Sequence, residues 1–191
     1  DMTWTECKQL IWDDLCRFHQ PTRSKGLRYL FTHFSFMTSF WFRIGSYLLE
    51  QKRGWFFKCL YFFVHLIYKH ISYKTGIQLP LGTKIMGGVH FKHFSCIIVS
   101  EKTMIGRNCT IFQGVTIGMS TAKSGAPIIG DNVVLGSGCK VLGDIRIGDN
   151  TIIGANSVVT KDIPNNSVVI GIPGVVKSKD GYKYTSLYRE C

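Results

Sequence analysis

Apolar residues recur along this chain with two different periods, and the period changes near residue 75. From Thr3 to about Tyr73 the spacing is helical. Leu10, Ile11, Leu15 and Phe18 form one apolar face that stops before Pro21, and Thr3 with Glu6 has the spacing of a capping box. Two further helices are predicted over 27–50 and 55–73, separated by the turn-like Gln51-Lys52-Arg53-Gly54. Beyond residue 75 a period of six takes over: Leu81, Val99, Ile105, Ile111, Ile117, Ile129, Leu135, Val141, Ile147, Ile153 and Val159 share one register. Four positions on, small or apolar residues recur, from Ile85 and Phe91 through Cys109 and Cys139 to Ile163. Neither a helix nor an alternating strand gathers such residues on one side. A solenoid with three short strands per turn does, because each six-residue face points its first residue inward and turns the corner through a small residue or glycine. The pattern therefore predicts a solenoid domain over 76–176, an α-helical region over 1–75 ahead of it, and a polar, poorly ordered tail over 177–191 with Tyr182, Tyr184 and Tyr188 as candidate tacking points.

Three positions break the register: Gly87, His93 and Lys123 stand where a large apolar residue is expected. Lys123 lies in the polar stretch Met119–Ala126, which reads as a loop thrown out of a coil. His93 is an imidazole in a series otherwise filled by Ile, Leu and Val, and if buried it needs hydrogen-bonding partners. A structural role and a chemical one are both open to it.

Charge and cysteine content narrow the partners. A formal net charge of +11 asks for something anionic: nucleic acid, anionic lipid, an acidic glycan or a phosphate-bearing cofactor. No nucleic-acid motif is present. The segments 27–50 and 55–73 hold 16 of the 25 aromatic residues, and ten Lys or Arg but one acid, Glu50, lie between Arg17 and Lys74. Rings and cations on amphipathic helices suit a peripheral membrane contact, or equally a helical core or subunit contact. The longest apolar run, Trp55 to Ile67, is interrupted by Lys58 and His65 and is too short to span. Seven scattered cysteines without a C-x-x-C pair fit a reducing cytoplasm, and the polar first stretch is unlike a secretory signal.

The segments Gly88-Val-His-Phe-Lys-His93, Ile97-Ile-Val-Ser-Glu101, Phe112-Gln-Gly-Val-Thr-Ile-Gly118, Ile153-Gly-Ala-Asn-Ser-Val-Val159, Lys161-Asp-Ile-Pro164 and Gly171-Ile-Pro-Gly-Val-Val176 resemble the hexapeptide-repeat acyltransferases, specifically their serine acetyltransferase branch. Trp41-Phe-Arg-Ile-Gly-Ser-Tyr47 is similar to the element that precedes the coil in those enzymes. The resemblance implies a left-handed parallel β-helix with an extruded loop, a homotrimer, and acetyl-CoA bound in grooves between subunits, with no metal. It makes His93 the general base that takes the proton of an acceptor hydroxyl, chemistry suited to an imidazole with an ordinary pKa near ~6.5. It places an oxyanion donor around Gly118-Met119 and coenzyme contacts at Gly118, Ser137, Ala155 and Lys161.

Four departures bear on the acceptor. Where the branch carries acidic residues or a loop histidine, this chain has Gln20, Gln78, Lys92 and Ala126. Carboxylates that would meet the ammonium of serine are missing, which turns the expectation toward a sugar hydroxyl, on a free or lipid-linked glycan, as in capsular and colanic-acid-type exopolysaccharide O-acetyltransferases at the inner face of the membrane. Gln20 and Lys92 become candidate acceptor contacts, and Gln78 or Glu101 the partner that orients His93. Serine O-acetylation is the alternative, with a non-catalytic trimeric scaffold and N-acetylation of a nucleotide-linked amino sugar behind it. A metal enzyme of the γ-carbonic anhydrase kind needs three histidines, and the coil offers only His90 and His93.

Overall fold

The fold is described from a computed structural model, covering residues 2–18, 21–51, 54–120 and 125–188. The chain opens with α1 (Trp4–Leu15), whose capping box is complete: the Glu6 amide donates to Thr3 Oγ1 at 3.2 Å and the Thr3 amide donates to the Glu6 carboxylate at 2.6 Å. The segment expected as one helix over 27–50 is two, α2 (Arg23–Thr32) and α3 (Phe34–Glu50). His33 is extended between them (φ −119°, ψ 106°), and its ring packs against Tyr29 at 4.6 Å and Phe18 at 5.5 Å, a tertiary contact that local spacing does not encode. α4 (Trp55–Thr75) ends at Gly76 in the left-handed conformation (φ 66°), where an added Cβ would sit 3.2 Å from the Cys96 amide nitrogen.

A parallel β-helix follows. Its first turn is β1 (Ile77–Gln78), β2 (Lys84–Ile85) and β3 (His90–Phe91); its second is β4 (Ile97–Val99), β5 (Met104–Ile105) and β6 (Thr110–Ile111). The third is β7 (Thr116–Gly118), β8 (Ile128–Ile129) and β9 (Val134–Leu135); the fourth is β10 (Lys140–Leu142), β11 (Arg146–Ile147) and β12 (Ile152–Ile153). β13 (Val158–Val159) and β14 (Val168–Ile170) begin a shortened last turn. Three sheets line the three faces, in the orders β1-β4-β7-β10-β13, β11-β8-β5-β2 and β14-β12-β9-β6-β3. The inward series from Val99 to Val159 is buried throughout, and so is the alternate series through Cys109, Val115, Val133 and Cys139. Together they form one continuous core, whose edges are satisfied by the turns above and below.

Strand pairing shows where the six-residue register misleads. Thr116 pairs with Ile98, eighteen residues earlier, but Ile77 pairs with Ile97 and Phe91 with Ile111, twenty apart. Two extra residues therefore lie in the corner 92–96. Continuing the alignment puts Leu79 against Val99; Leu79 is buried, whereas Leu81 is only half-buried. Gly87 and His93 consequently stand at corners, not at inward positions. The loop expected between Met119 and Ala126 is an insertion of six between Gly118 and Ile128, since Met104 pairs with Ile128. Six is one whole repeat, so the phase survives it; Lys123 lies outside the described residues. At the far end Ile147 bridges Ile163 and Ile152 pairs with Val168, sixteen apart, so the last turn is two residues short.

One corner is held by a ladder of side-chain amides. Asn108, Asn132, Asn150 and Asn166 all have φ between 53° and 59°, and each of the first three donates its Nδ2 to the Oδ1 of the next at 3.1–3.2 Å. Asn tolerates this left-handed conformation because its short amide bonds locally.

The helices are pinned to the first turn by a buried ion pair. Arg43 of α3 donates to Asp14 of α1 at 3.0 Å and to the carbonyl of Met86 at 2.8 Å, while Asp14 accepts the amides of Gly88 and Val89 at 2.8 and 3.0 Å. The tail is more ordered than its polarity suggested. β15 (Val175–Ser178) runs antiparallel to β14, α5 (Gly181–Thr185) follows, and a single 3₁₀ turn (Ser186–Tyr188) ends where the Tyr188 carbonyl accepts from buried Arg17 at 2.7 Å. Its docking comes from backbone bonds such as Gly181 N–H to the Asn166 carbonyl, 2.9 Å, which side-chain composition cannot reveal.

Candidate active site

His93 occupies the two-residue bulge. Ser95 (φ 123°) and Cys96 (φ 54°) turn the chain there, and backbone bonds hold its ends, Lys92 N–H to the Ile111 carbonyl at 2.9 Å and Gly114 N–H to the Ser95 carbonyl at 3.0 Å. The bulge pushes the imidazole outward: His93 is exposed, with the Phe112 ring 5.9 Å away, and no hydrogen bond reaches its ring among the described residues. Phe112 also meets Tyr188 of the tail at 6.0 Å. His90, three residues earlier, faces out of the coil from β3 and is buried by the helices packed there. It packs on Phe18 at 5.1 Å, and burial, reinforced by Arg17, Lys92 and His33, pushes its pKa down to about 3, so it is neutral. The two histidines do not converge, and among the described residues no three His, Cys, Asp or Glu side chains could hold a metal ion.

The same corner, followed along the axis, forms a column. Gly114 N–H bonds to Ser95, Gly138 N–H to the Gln113 carbonyl at 2.8 Å, and Asn156 N–H to the Ser137 carbonyl at 2.8 Å. Ser137 and Ala155 thus lie below the His93 corner, with Ala155 three inter-strand steps of about 4.8 Å, or roughly 14 Å, away. Gln113 also belongs to this column and escaped sequence assignment. Its Oε1 is buried and has no hydrogen-bond partner among the described residues, an acceptor held in reserve beside Phe112. The signal was a polar amide at a corner where the other turns carry Ser or Ala.

The remaining expected residues fall elsewhere. Gly118, exposed Met119 and Lys161 lie at the opposite edge of the β1-β4-β7-β10-β13 face, with the Gly118 carbonyl accepting from Gly143 N–H at 2.9 Å. Glu101 is at that edge too. It lines a cleft with Tyr61, Lys69 and Pro80, and β4 together with its flanking residues separates it from the bulge by roughly 15 Å of extended chain, so within one chain Glu101 does not support His93. Gln78 projects outward from β1 alongside Ile98, at the end of the face next to the bulge, and makes no hydrogen bond to His93. The Lys92 backbone is fixed in the bulge, and Gln20 lies outside the described residues. Ala126, at the loop's return, is buried.

Residues 126–161 match the family described as bacterial transferase hexapeptide (six repeats). The serine acetyltransferase of Synechococcus elongatus is 33% identical over 170 residues, 87% of this chain and 66% of that protein, so the chain spans about two thirds of its length. That of Staphylococcus xylosus is 34% identical over 166 residues, covering 86% of this chain and 74% of the relative. The chain belongs to the serine acetyltransferase family. A serine acetyltransferase solved in complex with CoA superposes with a TM-score of 0.72 at 29% identity, over 91% of this chain and 70% of that one. These similarities overturn the expectation of a sugar hydroxyl acceptor in polysaccharide synthesis, and with it the kinship to capsular and colanic-acid-type enzymes. The agreement runs through both the helices and the solenoid and outweighs the four departing side chains.

Proposed function

We propose that this serine acetyltransferase family member transfers the acetyl group of acetyl-CoA to the hydroxyl of L-serine, with His93 as general base. The observation that carries the reading is the bulge at 92–96, which presents an unencumbered imidazole at the head of the Gln113–Ser137–Ala155 column. His93 removes the hydroxyl proton as the serine oxygen bonds to the thioester carbon. The tetrahedral intermediate then collapses, the C–S bond breaks, and the imidazolium returns its proton to the departing thiolate. O-acetylserine and CoA are the products.

A trimer brings the two edges of the face together. The column carrying His93, Ser137 and Ala155 on one chain would face Gly118, Met119 and Lys161 of its neighbour across a groove. The pantetheine arm would lie along the small residues, a backbone amide near Gly118-Met119 would meet the oxyanion, and Lys161 would meet phosphate. The amide oxygens of Gln78 and Gln113 would replace the missing carboxylates opposite the serine ammonium, so a high KM for serine is expected. Lys92 suits the serine carboxylate. Mass spectrometry of a reaction with acetyl-CoA and L-serine tests the reading: O-acetylserine formed in step with CoA supports it, and hydrolysis of acetyl-CoA without an acetylated amino acid refutes it.

A further inference from the structure

α4 carries far more apolar surface than the protein covers. Its buried residues, Val64, Tyr68, Ile71 and Thr75, form a narrow stripe at three- and four-residue spacing. At 100° per residue, the remaining apolar side chains spread over the opposite arc. Trp55, Phe56, Phe62 and Phe63 are 78%, 60%, 58% and 62% exposed, and Leu66 and Ile67 fill the arc between them. Lys58 and Lys69, eleven residues or three turns apart, line up along one margin of that arc. Lys52, Arg53 and Lys74 flank the helix in sequence or stand at its end, and no acid occurs between Glu50 and Glu101.

We propose that this face rests on an anionic lipid surface and holds the protein there peripherally. A scattered set of exposed rings needs no partner, but a contiguous aromatic arc bordered by aligned cations does. A second copy packed face to face would bring no carboxylate from its own α4 to the lysine margin. The partner must instead offer hydrocarbon along the arc and negative charge at its edge, which is the chemistry of acyl chains beneath phosphate headgroups. Among the described residues no helix is long and apolar enough to cross a membrane, so the helix lies in the interface, rings at headgroup depth and lysines toward phosphate. The proposal is independent of which hydroxyl the active site acetylates.

Sedimentation of the full chain with vesicles tests it, using phosphatidylcholine alone and phosphatidylcholine with phosphatidylglycerol. Binding is expected to the anionic vesicles, at least about tenfold weaker to neutral ones or in about 0.5 M salt. Lys58→Gln and Lys69→Gln each weaken binding roughly fivefold. Phe62→Ser with Phe63→Ser weakens it at every salt concentration, while circular dichroism stays that of the parent. Brominated acyl chains quench tryptophan emission in the parent and much less in Trp55→Phe. A chain that stays in the supernatant with anionic vesicles, or binds neutral vesicles equally, overturns the proposal. So does a stable higher assembly that Phe62→Ser with Phe63→Ser dissociates, because the arc is then a contact between copies.

Discussion

Replacing Asp14 with alanine should loosen the joint that aligns the helices with the first solenoid turn. Asp14 is 1% exposed and Arg43 2%, and the carboxylate accepts four hydrogen bonds: Arg43 Nε at 3.0 Å and Nη2 at 3.1 Å, Gly88 N–H at 2.8 Å and Val89 N–H at 3.0 Å. Its removal leaves a guanidinium buried without its counter-ion and two amides without an acceptor. Breaking a buried pair in this way costs about 3–5 kcal/mol. The orphaned amides add to that unless water replaces the lost oxygens. A cleft of about 580 Å³ reaches Arg43, so water can enter from that side, the amides add little, and the middle of the range applies, about 4 kcal/mol. For a chain of this length that is a fall in Tm of roughly 8–16 °C. Differential scanning calorimetry reads it, and Asp14→Leu with Arg43→Met should recover most of the loss because neither charge is then stranded. Gly88 and Val89 lead directly into β3 and the His93 bulge, so activity of Asp14→Ala should fall even well below its Tm. A Tm within about 3 °C of the parent would refute the assignment of Asp14 as the joint.

Because burial holds His90 near 3 while the unfolded residue titrates near 6.5, the unfolded chain binds the extra proton as pH falls below about 6.5; at pH 5 this removes about 2 kcal/mol of stability. His90→Gln should flatten the stability curve between pH 7 and 5 by that amount, and parallel curves would contradict it. Asn132→Ala removes two rungs of the amide ladder and strains a φ of 56°, costing about 3 kcal/mol in chemical denaturation; Asn132→Gly should recover the backbone share, about 1 kcal/mol. Gln78→Asp restores a carboxylate on the outer edge of β1, opposite the serine ammonium, and should lower the KM for serine about tenfold; an unchanged KM would place Gln78 away from the acceptor.

The solenoid was legible because its signal is redundant: from Ile97 to Val159 each turn repeats the same demand for an inward apolar residue, and even the loop insertion is a whole repeat. The first and last turns were misread for the opposite reason. A two-residue insertion at 92–96 and a two-residue deletion after Val159 each shift the phase by one inward position, and apolar residues such as Leu81 and Ile163 satisfy either register until pairing decides. The capping box of α1 was readable because both partners are local, whereas the break at His33 depends on rings from elsewhere in the chain. His93 was found through the family resemblance, but its apparent inward position was an artefact of the misphased register. Gln113 is recognisable only when its unpartnered oxygen is seen beside the same corner. The expected sugar acceptor fails because it rested on four departing side chains, whereas the similarity to serine acetyltransferases runs along 86–87% of the chain.

The most direct test of the central claim is the steady-state release of CoA thiol with L-serine by the parent and by His93→Ala. The account predicts serine-dependent release by the parent, a loss of about 10²–10⁴-fold in His93→Ala, and an unchanged Tm, since the ring is exposed and bonds to nothing within the described chain. Serine-dependent release that survives in His93→Ala at more than about a tenth of the parent rate would contradict it.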